Sequence, residues 1–449
     1  MNLAGKKITV LGAVRSGIGA AKLIKRLGGI PFISDFSPKE KLVPQIEIIE
    51  NEGIAYECGM HSERAFDCEF IVTSPGVPSN SFPIIEAAKR NIKVISEVEL
   101  ASLFCKGKVI AITGTNGKTT TTSLCAHLLN ESGYKAYAAG NIGLAFSEIA
   151  DLVKENEFVA LETSSFQLDH IDAFKPSVSM ILNITPDHLD RYEESFDKYA
   201  DAKIAVAKNQ DEEDIIILNG DDSCTPASKI NERVKKFTFS LNEKQTNGAW
   251  MQDGKLFYAA DGNAEEVCIT SDIFIKGEHN IANALAVLIA AKRLGVSNAK
   301  IAAAFRTFKG VEHRIEFVRE YKGIKFYNDS KGTNVDSVWY ALRSFEQPVY
   351  LILGGKDKGN DYNRIKEPVL KVVKKIYAIG SSAQKVYDFF NPLVAVEMVS
   401  TLEHCVIKGS TEAGPGEVVL LSPACASFDM FENFEHRGDV FKKAVMELK

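Results

Sequence analysis

Four side chains in the middle of this chain have types and settings suited to phosphoryl chemistry: Lys118, Glu162, His188 and Lys203. Lys118 lies in the run Gly114-Thr115-Asn116-Gly117-Lys118-Thr119-Thr120, which follows the apolar stretch Ile110 to Thr113 and precedes a helical pattern over Thr122 to Leu129. A strand, a glycine-punctuated turn and a helix in that order build a phosphate cradle. Backbone N–H groups of the turn wrap oxygens, Lys118 supplies charge, and Thr119 offers a hydroxyl to Mg²⁺. The turn is shorter than the usual P-loop, because Ile112 stands where that motif has its first glycine and Gly114 replaces it.

Glu162 ends the apolar stretch Phe158 to Leu161, where a carboxylate beside a phosphate loop suits an Mg²⁺ ligand; capping the next helix is its other reading. His188 sits in the turn Asn183 to Arg191 and suits a second cation or substrate orientation, although most histidines are structural. Lys203 falls on the apolar face of a predicted helix over Phe196 to Lys208, in line with Phe196, Tyr199 and Val206. It either snorkels to solvent or is desolvated, loses its proton and takes up CO₂ as a carbamate, an oxygen ligand for Mg²⁺.

Further polar groups end other predicted strands. Gly12-Ala13-Val14-Arg15-Ser16-Gly17 has Val14 where a dinucleotide loop needs its second glycine, which argues against tight NAD binding. The helix start at Ser16 still suits an anion, Asp35 a ribose or base edge, and Ser74-Pro75-Gly76 the same sheet edge; loop and cap roles are the alternative. Asn280 suits an adenine edge or a cap. Arg314 and Asp329 suit a clamp on phosphate, ribose or adenine. The glycine- and lysine-rich Gly354 to Gly359 suits a carboxylate, and Ser427 with Phe428 an amino-acid pocket.

These groups need elements to position them. Short apolar stretches at Lys7–Leu11, Pro31–Ser34, Phe70–Thr73 and Val94–Ile95 alternate with helical patterns, as in a doubly wound parallel sheet. A second unit has predicted strands at Val109–Thr113, Phe158–Glu162, Ser179–Asn183 and Ile215–Leu218, a polar β-like stretch from Val234 to Phe274, and a helix over Asn280 to Leu294. A third has strands at Val349–Leu353, Lys375–Ile379 and Val418–Leu421. At 449 residues several domains are expected. A net charge of −6 argues against wrapping nucleic acid, and no apolar run reaches the ~18 residues of a membrane span. Met1 to Lys7 leads directly into a strand, so no signal peptide is expected. The 8 cysteines form no C-x-x-C pair, which points to buried thiols in a reducing compartment, the cytoplasm.

Taken in order, these motifs resemble the Mur ligase family across essentially the whole chain. Glu162-Thr163-Ser164-Ser165-Phe166-Gln167-Leu168 and Ser422 to Asp429, with Phe431, Asn433, Phe434 and Arg437-Gly438, resemble the members that add D-glutamate. The resemblance implies an α/β protein of three domains. An N-terminal Rossmann-like doubly wound sheet (1–97) would bind the UDP group of the substrate through Ser16, Asp35, Phe36, Ser37, Ser74, Pro75 and Gly76. A central P-loop-type ATPase domain (98–309) would bind ATP through Gly114, Thr115, Asn116, Gly117, Lys118, Thr119 and Thr120, and substrate through Asn141. A C-terminal Rossmann-like α/β domain (310–449) would add nucleotide and D-glutamate contacts.

By the same resemblance, Thr119 and Glu162 hold one Mg²⁺, and His188 with carbamoylated Lys203 another. Asn280, Arg314 and Asp329 meet the nucleotide; Lys331, Thr333, Lys358, Ser427 and Phe428 surround D-glutamate. The implied reaction joins D-glutamate to UDP-N-acetylmuramoyl-L-alanine through an acyl phosphate, consuming ATP, in a cytoplasmic monomer that makes peptidoglycan precursor. Three positions depart from the family pattern: Val14, Gly332 where alanine is common, and Phe428 where leucine can occur.

Overall fold

The computed structural model describes residues 1–225, 227–357 and 359–449. Its strands form three sheets. The first is entirely parallel: β1 (Lys7–Leu11), β2 (Ile30–Asp35), β3 (Ala55–Cys58), β4 (Phe70–Thr73) and β5 (Lys93–Ser96) lie in the order β3-β2-β1-β4-β5. The order reverses beside β1, so the carboxyl ends of β1, β2 and β4 open a crevice of the kind where doubly wound sheets bind ligands. The sequence signal misses β3 because it is an edge strand, exposed or half-buried along its length.

The second sheet contains β6 (Lys108–Thr113), β7 (Ala136–Gly140), β8 (Phe158–Glu162), β9 (Val178–Ile181), β10 (Ile215–Asn219), β11 (Lys235–Ser240), β12 (Gly248–Gln252), β13 (Lys255–Ala260) and β14 (Asn263–Ile269). Their order is β14-β13-β12-β11-β10-β9-β6-β8-β7. The strands from β7 to β12 pair in parallel; β12, β13 and β14 close the polar stretch as an antiparallel meander. Central strands such as β8 are buried throughout, which is why they read as continuous apolar runs.

The third sheet contains β15 (Glu316–Tyr321), β16 (Ile324–Asn328), β17 (Val349–Gly354), β18 (Val373–Ile379), β19 (Ala395–Met398) and β20 (Val418–Leu421), in the order β15-β16-β20-β17-β18-β19. Only the β15–β16 hairpin is antiparallel.

The chain gathers into two compact units, Met1–Ile273 with Ile281–Phe308, and Phe274–Asn280 with Lys309–Lys449. The first holds two sheets joined by one continuous core that runs from Leu3 and Ile24 through Val98, Phe146 and Leu161 to Ile216. The second packs helices on both faces of its sheet, around Leu351 and Ile376 on one side and Phe326 and Tyr377 on the other. No helix among the described residues is long and apolar enough to cross a membrane.

Candidate active site

The helix after β6 begins at Lys118, one turn earlier than the sequence pattern predicts. Gly117 makes this start possible: it caps the helix at φ +86°, and a Cβ there would meet Asn283 Oδ1 at 2.6 Å. The loop before it is pinned from β9. Asn183 accepts the Thr115 N–H on its carbonyl (2.9 Å) and the Asn116 N–H on Oδ1 (2.8 Å), and its Nδ2 donates to Asn116 O (3.0 Å). The N–H groups of Thr115 and Asn116 are thereby directed to Asn183, and the helix start at Lys118 follows with its first N–H groups free of intrahelical partners. The Thr115 hydroxyl faces inward, donating to Thr185 O (3.0 Å) and lying 3.1 Å from Tyr199 OH.

Two ammonium groups meet at this loop. Lys118 Nζ donates to Gly114 O (2.9 Å) and Thr115 O (2.7 Å), and Lys203 Nζ donates to the same Gly114 O (2.9 Å). Lys203 is 2% exposed, so it does not snorkel. Its amine lies over the Tyr199 ring, 4.5 Å from the centroid. Burial, with the Lys118 charge adding to it, holds the Lys203 ammonium well below the usual lysine range. The helix that carries it spans Phe196–Ile204, shorter than predicted, and tightens into a 3₁₀ turn over Ala205–Ala207.

Glu162 ends β8 as a buried strand residue, and Ser164, not Glu162, caps the next helix. Its Oε1 accepts from Asn141 Nδ2 (3.2 Å), whereas its Oε2 is buried with no hydrogen-bond partner. A buried carboxylate oxygen without a donor is costly, and a cation satisfies it. His188 stands in a left-handed conformation (φ 52°) in the turn after β9, its ring edge-on to Phe166 at 5.2 Å.

In the first sheet, Ser16 is half-buried in the first turn of the helix Arg15–Arg26. Val14 precedes it at φ −101°, a conformation that needs no glycine. Asp35, expected to meet ribose or base, binds the backbone: one oxygen accepts from Ala13 N–H and the other from Ser37 N–H, both at 2.7 Å. Phe36 is exposed and stacks on His61. Ser74 Oγ is buried with no partner, at the mouth of the loop after β1, and Pro75 and Gly76 continue its turn.

The second unit carries its own polar cluster. Asp329 is fully buried after β16; Oδ2 accepts from Ser422 Oγ (2.7 Å), and Oδ1 accepts from Ile315 N–H (3.3 Å) and lies 3.9 Å from Arg314. Burial pushes its carboxyl up to about 6, with Arg314 pulling the other way. Gly332 folds back so closely that a Cβ would stand 2.4 Å from Asp329 Oδ2. Lys331 places its amine over the Phe434 ring (5.4 Å), and Thr333 N–H returns to Lys331 O (2.9 Å). Ser427 is buried and Phe428 exposed. Asn280 also belongs to this unit, and its Nδ2 donates to Lys276 O (2.7 Å). Lys358 lies outside the described residues.

Residues 112–291 match the Mur ligase middle domain, and residues 313–425 match the Mur ligase glutamate ligase domain. The chain belongs to the Mur ligase family. It is 43% identical to the UDP-N-acetylmuramoylalanine–D-glutamate ligase of Chloroherpeton thalassium over 99% of this chain and 98% of that one. The enzyme of the same name from Acidobacterium capsulatum is 42% identical over 99% and 97%. Among solved structures, the UDP-N-acetylmuramate–alanine ligase of Thermotoga maritima superposes with a TM-score of 0.64 at 19% identity, covering 99% of this chain and 100% of that one. The two share a fold.

In this Mur ligase the sequence reading overlooked the loop's supports. Asn183 clamps the phosphate loop, Tyr199 reaches its Thr115, and Asn283 closes over Gly117. Position at the carboxyl end of β9 is the one sequence signal for Asn183; Tyr199 reads as core. Among the described residues one acid and imidazole cluster could hold a metal ion: Glu312, His313 and Asp439, in the second unit. Lys442 already places its ammonium on Glu312 and Asp439.

Proposed function

We propose that this chain is an ATP-dependent, ADP-forming ligase that joins D-glutamate to UDP-N-acetylmuramoyl-L-alanine. Relatives spanning almost its whole length carry that name. The observation that best supports the chemistry is the pair of ammonium groups on Gly114 O beside a helix start. Two cations on one carbonyl repel each other, and the pair is stabilised when a polyanion enters or when one amine is neutral.

In this reading the carboxylate of the UDP-linked substrate attacks the γ-phosphorus of ATP in line and displaces ADP. The D-glutamate amine then attacks the acyl carbon of the resulting acyl phosphate, expels phosphate and loses a proton. Lys118 and the N–H groups of Gly117 to Thr120 offset the negative charge that spreads over the transferring group. Thr119 and Glu162 would hold one Mg²⁺; His188 and Lys203, once its neutral amine has added CO₂ and shed a proton to become a carbamate, would hold another. Bound there, Mg²⁺ adds positive charge to the phosphoryl oxygens. The orphaned Oε2 of Glu162 and the desolvated amine of Lys203 support that donor set.

The remaining assignments follow the three sheets, as domains 1–97, 98–309 and 310–449. Ser16, Asp35, Phe36, Ser37 and the Ser74-Pro75-Gly76 turn take the UDP group, and Asn141 the substrate beyond it. Gly114 to Thr120, Asn280, Arg314 and Asp329 take ATP; Lys331, Thr333, Lys358, Ser427 and Phe428 take D-glutamate. The protein works as a cytoplasmic monomer. Phosphate release decides the reading, measured with ATP, Mg²⁺ and UDP-N-acetylmuramoyl-L-alanine against D-glutamate, L-glutamate, L-lysine, meso-diaminopimelate and no amino acid. Release that requires both the nucleotide-sugar and D-glutamate is the expected result. Release with another amino acid moves the specificity, and none at all rejects the activity.

A further inference from the structure

Arg191 connects two parts of the first unit that the reaction must keep in register. Its guanidinium carbon lies over the Phe166 ring, 3.9 Å from the centroid. Its two terminal nitrogens donate to Pro75 O (3.2 Å) and Val77 O (3.1 Å), both in the turn that follows β4. Phe166 in turn carries the His188 ring edge-on at 5.2 Å and stacks on Tyr192 at 6.0 Å. Tyr192 packs on Tyr199, whose hydroxyl reaches Thr115 of the phosphate loop. A planar cation with several donors in a fixed fork grips two carbonyls and covers a ring with less loss of freedom than a lysine, whose single ammonium must serve all three contacts.

We infer that Arg191 is a positioning residue that ties the Ser74 to Val77 turn to Phe166 and His188, so that the nucleotide end of the substrate and its reacting carboxylate are held in one register. The inference rests on the assignment of the Ser74-Pro75-Gly76 turn to the UDP group. The turn has no contact with the phosphate loop through its own strand, since β4 and β6 lie in different sheets. Arg191 supplies the link through side chains.

The test compares wild type with Arg191→Met and Arg191→Lys. Binding of UDP-N-acetylmuramoyl-L-alanine and of ATP is measured separately by calorimetry, and KM and kcat by phosphate release. Arg191→Met is expected to weaken the nucleotide-sugar about tenfold or more, in line with the loss of two charge-assisted hydrogen bonds, and to leave ATP affinity within about twofold. Arg191→Lys, which keeps the charge and loses the fork, falls between. Unchanged nucleotide-sugar affinity in Arg191→Met overturns the inference, as does an equal loss for both ligands, the mark of general unfolding. Wild type that binds the nucleotide-sugar without turnover rejects the proposed reaction and still tests Arg191 by binding. Wild type that binds no nucleotide-sugar rejects both.

Discussion

Lys203 gains meaning from its surroundings more than from its type. It is buried, shares Gly114 O with Lys118, and lies in an environment that disfavours its charge. If it serves as a carbamate, Lys203→Ala lowers D-glutamate-dependent phosphate release by about two orders of magnitude or more, and a short carboxylic acid added to the assay restores part of it. An unaffected variant, or one that no acid rescues, rejects the carbamate. Asp329 carries the opposite electrostatic signature. Its carboxyl, raised to about 6, holds a proton more tightly when folded than when unfolded. Its contribution to stability is therefore full below about pH 4 and is lost as pH rises through about 6, a change of about 3 kcal/mol at most. Asp329→Asn flattens the dependence of unfolding free energy on pH between about 4 and 6 in denaturant titrations. It also weakens ATP use if Asp329 meets the nucleotide; an unaltered pH slope contradicts the buried-acid account.

At the scale of elements, the phosphate loop depends on backbone conformations that only glycine adopts without strain. Gly117 combines φ +86° with a Cβ direction occupied by Asn283, so Gly117→Ala meets both a conformational penalty and a clash. The variant is expected to lose about 1–3 kcal/mol of stability in chemical denaturation and most of its ATP affinity. The helix starting at Lys118 has threonines at positions 119 to 122, all buried. β-Branched residues are poor helix formers, so this first turn is held by packing and by its cap more than by propensity. For that reason the sequence pattern placed the helix start one turn late.

Over the whole molecule, all 8 cysteines are free thiols. Cys224 is exposed, Cys58, Cys68 and Cys105 are half-buried, and Cys125, Cys268, Cys405 and Cys425 are buried. Burial pushes the Cys125, Cys268 and Cys405 thiols up to about 12. Titration of the native protein with a thiol reagent at neutral pH is expected to show one fast equivalent, from Cys224, with the four buried thiols appearing only on denaturation. Cys224→Ser removes the fast phase. Rapid reaction of all 8 would mean that the cores around them open readily.

Much of this was legible in the sequence because parallel strands buried on both faces are written as continuous apolar runs, and because a strand, a glycine turn and Gly-Lys-Thr leave few alternatives to a phosphate cradle. Those features determined the α/β class, the phosphate loop and the placing of Glu162 at a strand end. The edge strands β3, β7 and β19 were not legible, since half-exposed or small side chains carry no such run. Tertiary structure alone set the surroundings of these side chains. Lys203 is desolvated because its helix packs it against the loop, Glu162 Oε2 is left buried without a partner while Ser164 caps the next helix, and Asp35 accepts from the Ala13 backbone because β1 and β2 are neighbours. It also decided that Asn183 and Arg191 matter, for a residue's partners across a sheet edge depend on strand order, which local spacing does not encode.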